Sequence, residues 1–227
     1  MSFCWVQRAF PAPLETSEQN YWLGYLMGDG CLANRKKEGH DSFALCLGSK
    51  DKTQVEKFRS FIFFYRGRMS KVCTASARKN TVEGRVIFTK KIYSISIYCT
   101  QEVDNLRQHG LVERKSGKEI FPETITNIPA FILGYFDADG CVYVNERSNS
   151  LSFIVTSLSE KLISRMNWEI FRILHCEGYC SFRGAHDIRW HIGKDLAKSL
   201  YQFLYASVPS FLPLDRKRER FEKYIKT

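Results

Sequence analysis

Apolar positions along the chain fall into the same succession of runs twice. A nearly continuous apolar stretch, "YWLGYLMGDGCLA" at 21–33, stops at an acid and is matched 110 positions later by "FILGYFDADGCVY" at 131–143, with Gly24 answering Gly134 and both copies ending in Asp-Gly-Cys. Self-similarity of this kind sets the fold before any single element does. Further on, "SFALCLGSKDK" at 42–52 parallels "SFIVTSLSEK" at 152–161, each a strand-like run entering the Ser- and charge-bearing start of a helix. Alternation and β-branched or aromatic content predict strands near 31–34, 42–48, 68–75 and 86–98, then 141–145, 151–157, 179–183 and 188–192. Helical stripes are formed by Val55, Phe58, Phe61 and Ile62, and by Leu162, Ile163, Met166, Ile170 and Ile173. A further helix in "QEVDNLRQH" is answered by "KDLAKSLYQFL", and the polar, proline-bearing segment "KSGKEIFPETITNIP" separates the copies. These signals predict an N-terminal half at 1–117, a linker at 118–128 and a C-terminal half at 129–227.

The repeated apolar runs read as short helices. Thr16 or Ser17, and Asn127 before a proline-containing first turn, are start signals. Gly24 with Gly28, and Gly134 with Ala138, place small residues four apart on one face, which lets a second helix approach closely. The natural partner is the other copy, across a pseudo-twofold axis. Asp29 and Asp139 then fall at the negative end of each helix, where a carboxylate is disfavoured by about 0.3–1 kcal/mol. A hard divalent cation held by carboxylates and backbone carbonyls relieves that penalty and the mutual repulsion of the two acids.

Charge narrows the partner. Against 24 acidic residues stand 34 Lys and Arg, a net charge of +10, which favours polyanions, nucleic acid first. Apolar runs such as "FIFFY" fall far short of the roughly 20 residues of a membrane span, so no membrane partner is expected. The opening "MSFCWVQRAFPAPLE" lacks the pattern of a signal peptide, and an intracellular protein with reduced thiols is expected for its eight cysteines. Cys176 and Cys180, beside His175, lack a second pair at zinc-ribbon spacing, and the five histidines form no metal-ligand spacing.

"ILGYFDADG" at 132–140 and "WLGYLMGDG" at 22–30 resemble the motif of the LAGLIDADG homing endonucleases, specifically the single-chain members with two copies. The first copy has Met27 where the second has Asp137. The resemblance implies an α+β fold of two pseudo-symmetric αββαββα halves, whose antiparallel sheets form a saddle over DNA. It makes Asp29 and Asp139 catalytic acids binding two or more Mg²⁺ ions, with the carbonyls of Gly28 and Ala138 as further ligands. By the same resemblance Lys115 and Lys217 approach the reacting phosphate, and Ser49 and Ser157 fall where a longer polar side chain usually organises water. Candidates for DNA contact on the strands and their turns are Arg35, Lys37, Arg68, Lys71 and Arg85, then Asn145, Arg147, Arg183 and Arg189. The implied activity is that of a monomer cutting both strands of a long, asymmetric duplex target to leave short 3′ overhangs. The alternatives are an intron RNA maturase and a non-catalytic DNA-binding regulator on the same fold.

Overall fold

Each motif helix begins on a cap written into the sequence. At Thr16 the cap is reciprocal: its hydroxyl accepts from the Gln19 amide at 3.2 Å, and Gln19 Oε1 accepts from the Thr16 amide at 3.0 Å. Helix α1, Ser17–Asp29, follows. Asn127 accepts from the Ala130 amide at 3.1 Å and starts α4, Ile128–Asp139, with Pro129 in the first turn. The computed structural model describes residues 8–37, 40–77, 79–82, 85–88, 90–147, 150–175, 179–181 and 187–226.

After α1 come β1 (Gly30–Lys37), β2 (His40–Ser49), α2 (Lys52–Arg66), β3 (Val72–Ala75), β4 (Lys79–Val82), β5 (Arg85–Phe88), β6 (Ile92–Tyr98) and α3 (Thr100–Gln108). After α4 come β7 (Gly140–Asn145), β8 (Ser150–Thr156), α5 (Glu160–Leu174), β9 (Tyr179–Ser181), β10 (Asp187–Ile192), α6 (Lys194–Tyr205) and α7 (Asp215–Lys226). The two four-stranded antiparallel sheets, β1-β2-β6-β3 and β7-β8-β10-β9, share one topology. The αββαββα plan therefore holds twice, with two additions. The first half carries an extra hairpin, β4–β5, and the second carries α7.

The strand expected over 86–98 is two strands: β5 pairs with β4, β6 pairs with β2 and β3, and Lys90 and Lys91 lie between them. The strand expected from 68 begins at Val72, leaving Arg68 and Lys71 in the connection. Residues 182 and 183 lie outside the described set. In α5 the buried stripe runs through Leu162, Ile163, Met166, Ile170 and Leu174, while Ile173 is exposed.

Packing does not follow the duplication. One compact unit is centred on Asp29–Asp104; the other joins Phe10–Gly28 to Asn105–Thr227. In the first, α2 packs its Val55, Phe58, Phe61 and Ile62 stripe on β2, β3 and β6. In the second, Phe153 of β8 stacks on Phe136 of α4 at 4.1 Å and contacts Trp190 and Phe221. The segment expected as a linker is built into this unit. Asn20 of α1 holds Thr126 by two hydrogen bonds, Thr126 holds the Leu14 carbonyl, and Ser159 Oγ donates to the Glu119 carbonyl.

The seam of the second unit is α1 against α4. A Cβ on Gly24 would lie 2.1 Å from the Phe131 carbonyl oxygen, and one on Gly134 would lie 1.9 Å from that of Tyr21. Tyr21 and Phe131 are themselves 110 positions apart, so the contact is reciprocal, as a twofold arrangement of the two helices requires. Gly24→Ala and Gly134→Ala are each expected to lower stability by about 3 kcal/mol, the upper end of the usual overpacking cost, because a rigid backbone oxygen occupies the space of the added methyl. Gly48→Ala, where the new methyl meets only Ile92 at 3.7 Å, is the control and should be neutral or slightly stabilising in the same urea titration.

Candidate active site

At its C-terminal end the close approach of the two helices passes from glycine to acid. A Cβ on Gly28 would lie 2.4 Å from the Ala138 Cβ and 3.1 Å from Asp139 Oδ2, so the Gly28 backbone borders the Asp139 carboxylate. Asp29, the residue after Gly28, ends α1 and is half-buried.

Two lysines cap these helix ends. Lys115 Nζ donates to the Gly28 carbonyl. Lys217 is buried, and its Nζ donates to the carbonyls of Phe136 at 2.6 Å and Asp137 at 2.7 Å while lying 5.0 Å from the centre of the Phe136 ring. Ammonium groups satisfy the last carbonyls of a helix and complement its dipole. The cation that the sequence demands at each helix end is thus in part a lysine.

The lysines arrive by different routes. Lys115 sits in a tight turn closed by the Lys118 amide on its own carbonyl, next to Gly117 at φ +80°, a backbone conformation that favours glycine. Lys217 lies in the first turn of α7, and the start of that helix is anchored by the Leu214 amide on Asp137 Oδ2 at 2.8 Å. The same carboxylate oxygen accepts from the Tyr21 hydroxyl at 2.7 Å. Asp137, the earlier acid of the motif, is buried and ties α1, α4 and α7 together. The positions matching Tyr21 and Asp137 in the other copy are Phe131 and Met27, both apolar.

Asp139 differs from Asp137. Its side chain reaches solvent, yet the protein around its carboxyl group withdraws enough water to push its pKa above the usual aspartate value. Lys115 and Lys217 pull the pKa back down, and Glu119 adds to the upward push. The Asp139 carboxylate lies beside the Gly28 backbone, and among the described residues no group of three or more His, Cys, Asp or Glu could hold a metal. A sparse site of this kind suits Mg²⁺, which commonly takes one or two carboxylates and completes its shell with water and substrate phosphates.

Ser49 and Ser157, expected near attacking water, are buried at the entries to α2 and α5. Each accepts from the amide two residues on, Asp51 at 3.1 Å and Ser159 at 3.0 Å, which gives both a local structural role. Lys115 and Lys217 both act electrostatically on Asp139, lowering its pKa. Reasoning from sequence missed Arg216 and Arg220, which line a cavity of about 80 Å³ with Gly140, Cys141, Val142 and Lys217. Arg220 also donates to the Val142 carbonyl on the edge strand β7, at 3.1 Å. Their signal was the basic run after Leu214, where only Lys217 was singled out.

Among the expected DNA contacts, Arg68 and Lys71 are exposed and line a cavity of about 560 Å³ with Arg66, Ser94, Ser96 and Tyr98. Arg35 and Lys37 lie on β1 opposite Ser42 and His40, and Arg85 lies on β5 opposite Val82; their side chains are outside the described set. Arg189 on β10 is opposite Ile154, itself opposite Cys141, so the three share a sheet face. Asn145 Oδ1 accepts from the Arg147 amide at 3.1 Å and shapes the turn after β7, where Arg147 is exposed. Arg183 lies outside the described residues.

Residues 127–167, covering α4, β7, β8 and the first part of α5, match the family described as LAGLIDADG-like domain. No curated protein matches the chain. Among solved structures, the homing endonuclease I-WcaI bound to its DNA recognition sequence aligns over 90% of this chain and 87% of its own, with 15% identity and a TM-score of 0.60. The LAGLIDADG meganuclease I-AabMI bound to uncleaved DNA aligns over 91% and 90% at 12% identity and a TM-score of 0.55. The LAGLIDADG homing endonuclease I-GzeII in complex with its DNA target aligns over 91% and 88%, at 12% identity and a TM-score of 0.54. Residues 127–167 thus match a LAGLIDADG-like domain, and the chain shares the α+β fold of these endonucleases, in line with the resemblance read from the motifs.

The two motif acids of the second copy should separate in a denaturation experiment. Asp137→Ala is expected to cost roughly 3 kcal/mol, because it leaves the Tyr21 hydroxyl and the Leu214 amide without their charged acceptor. Asp139→Asn should instead leave stability unchanged or slightly raise it at pH 7 in metal-free buffer. A raised folded-state pKa means the native protein holds the proton better than the unfolded chain, a preference that is fully present below the ordinary aspartate pKa and lost as pH rises through the raised one. The asparagine variant lacks that loss, so its advantage should vanish in acid.

Proposed function

We propose that the protein is a site-specific DNA endonuclease that hydrolyses one phosphodiester on each strand of a duplex with Mg²⁺. The observation that carries this reading is the accessible Asp139 carboxylate at the end of the glycine seam, bordered by the Gly28 backbone and facing two lysines. The DNA-bound relatives in fold, the net charge of +10 and the exposed basic residues beside the first sheet support it. Asp29 and Asp139, with the carbonyls of Gly28 and Ala138, would hold the metal. When bound there, Mg²⁺ activates water and neutralises charge on the leaving 3′ oxygen.

The protein's own groups do the rest. Lys115 and Lys217, already placed at the helix ends, offset charge that develops on the phosphate oxygens, where a preorganised cation counts most. Arg68 and Lys71 hold phosphates and set register, and Arg189 reads a base edge from its strand. Ser49 and Ser157 hold the turns that enter α2 and α5. Since one chain contains both motif copies, the active species is a monomer.

Asp29→Asn and Asp139→Asn are each expected to abolish double-strand cleavage of target plasmid while leaving duplex affinity within a few-fold of wild type. Wild-type linearisation by either variant would sink the assignment of the acids. In binding titrations, Lys71→Ala should weaken all duplexes alike and reduce the salt slope by about one unit. Arg189→Ala should cost roughly 1–3 kcal/mol and relax preference at one base pair. A uniform loss across sequences for Arg189→Ala would assign it to phosphate instead.

A further inference from the structure

In the first sheet Cys31 of β1 stands directly opposite Cys46 of β2. Residues directly opposite in an antiparallel pair share a face, with Cα atoms about 4.5–5.5 Å apart. Here it is the solvent face: Leu32, Leu45 and Leu47 are buried, Cys31 is exposed and Cys46 is half-buried. Both are free thiols. Cys46 Sγ lies 3.3 Å from Ser96 Oγ and Cys31 Sγ lies 3.6 Å from the Leu32 carbonyl oxygen.

The spacing lies within the range of about 4.4–6.8 Å between Cα atoms that a disulfide tolerates. Among the described strands, no other cysteine is in register with either of these. Cys73 of β3 is separated from β2 by β6, two strand spacings or about 9.5 Å, and Cys141 stands opposite Ile154. Among the described residues the register sets only Cys31 and Cys46 opposite each other as a thiol pair.

We propose that Cys31 and Cys46 form a dithiol modification site, closed to an intramolecular disulfide by a low-molecular-weight disulfide. The more exposed Cys31 sulfur attacks one sulfur of the reagent, breaking its S–S bond and releasing one small thiol. Cys46 sulfur then attacks the Cys31 sulfur of the mixed disulfide, forming the Cys31–Cys46 bond and expelling the second small thiol. The protein gives up two protons and two electrons, and the reagent is reduced to two thiols.

The consequence for activity rests on the endonuclease reading above. Cys31 lies two residues beyond Asp29. Bridged cysteines hold their Cβ atoms about 3.8 Å apart, against about 4.5–5.5 Å for unbridged neighbours, so closure draws β1 and β2 together by roughly 1 Å. A displacement of that size next to a catalytic group can cost on the order of 10²-fold. The oxidised protein is therefore a slower nuclease.

The full-length protein is incubated with oxidised glutathione, blocked with an alkylating agent and digested for mass spectrometry. The expected product lacks two hydrogens and yields a peptide pair joined through Cys31 and Cys46. Cys31→Ser and Cys46→Ser should each instead trap a glutathione adduct on the remaining cysteine. Wild-type protein that accumulates adducts without the cross-link, or that cross-links other cysteines, would overturn the site. In the second arm, duplex cleavage should fall at least about tenfold on oxidation, recover with dithiothreitol and be insensitive to glutathione in the double serine variant. A cross-linked protein that cuts at the reduced rate overturns the inhibitory effect. A reduced protein that cuts no DNA refutes the nuclease reading and leaves the dithiol site standing on its peptide pair.

Discussion

The contact on which the second unit depends is the mutual approach of two glycines to two carbonyl oxygens. Gly24 faces the Phe131 carbonyl and Gly134 faces that of Tyr21, at separations that leave no room for a methyl group. Backbone contact of this kind brings the helix axes closer than side-chain packing allows. It also carries the Gly28 backbone to the edge of the Asp139 carboxylate, where the Cβ position of Gly28 is within 3.1 Å of Oδ2. Any added bulk higher in the seam would separate these groups before it touched them.

Symmetry of the contact does not extend to its supports. One lysine is delivered by a turn after α3 and the other by a helix, α7, which the first half lacks. Two differences within the repeat accompany it. Tyr21 with Asp137 forms a buried polar link that also captures the Leu214 amide at the start of α7; Phe131 with Met27 at the matching positions has no such capacity. The polar link is costly unless every partner is satisfied, and the α7 anchor supplies one of those partners. The repeat thus keeps both acids while one copy carries an additional structural tie.

The duplication, the two helix caps, the close-packing face and the acids were legible because each is a local or periodic signal: Thr16 with Gln19, Asn127 before Pro129, small residues four apart, and Asp-Gly-Cys twice. Less legible was anything decided by partners distant in the chain. The β4–β5 hairpin was hidden because "RVIFTKKIYSISIY" reads as one long strand until pairing divides it at Lys90 and Lys91. The course of the linker at Thr126 depends on Asn20, more than a hundred residues away, a contact that its polar composition does not reveal. The local bonds of Ser49 and Ser157, each accepting from an amide two residues on, depend on turn geometry that no periodic pattern announces.

The endonuclease proposed above would cut a specific duplex with a metal held at the Asp139 helix end. This is tested most directly by incubating the protein with a randomised duplex library and Mg²⁺, then sequencing the ends produced. Since the residues at the two sheets differ, Arg68 and Lys71 beside the first and Asn145 and Arg189 on the second, the expected result is one asymmetric target, cut on both strands, and no ends when EDTA replaces Mg²⁺. Cleavage that persists in EDTA, or a library left uncut in Mg²⁺, would contradict it.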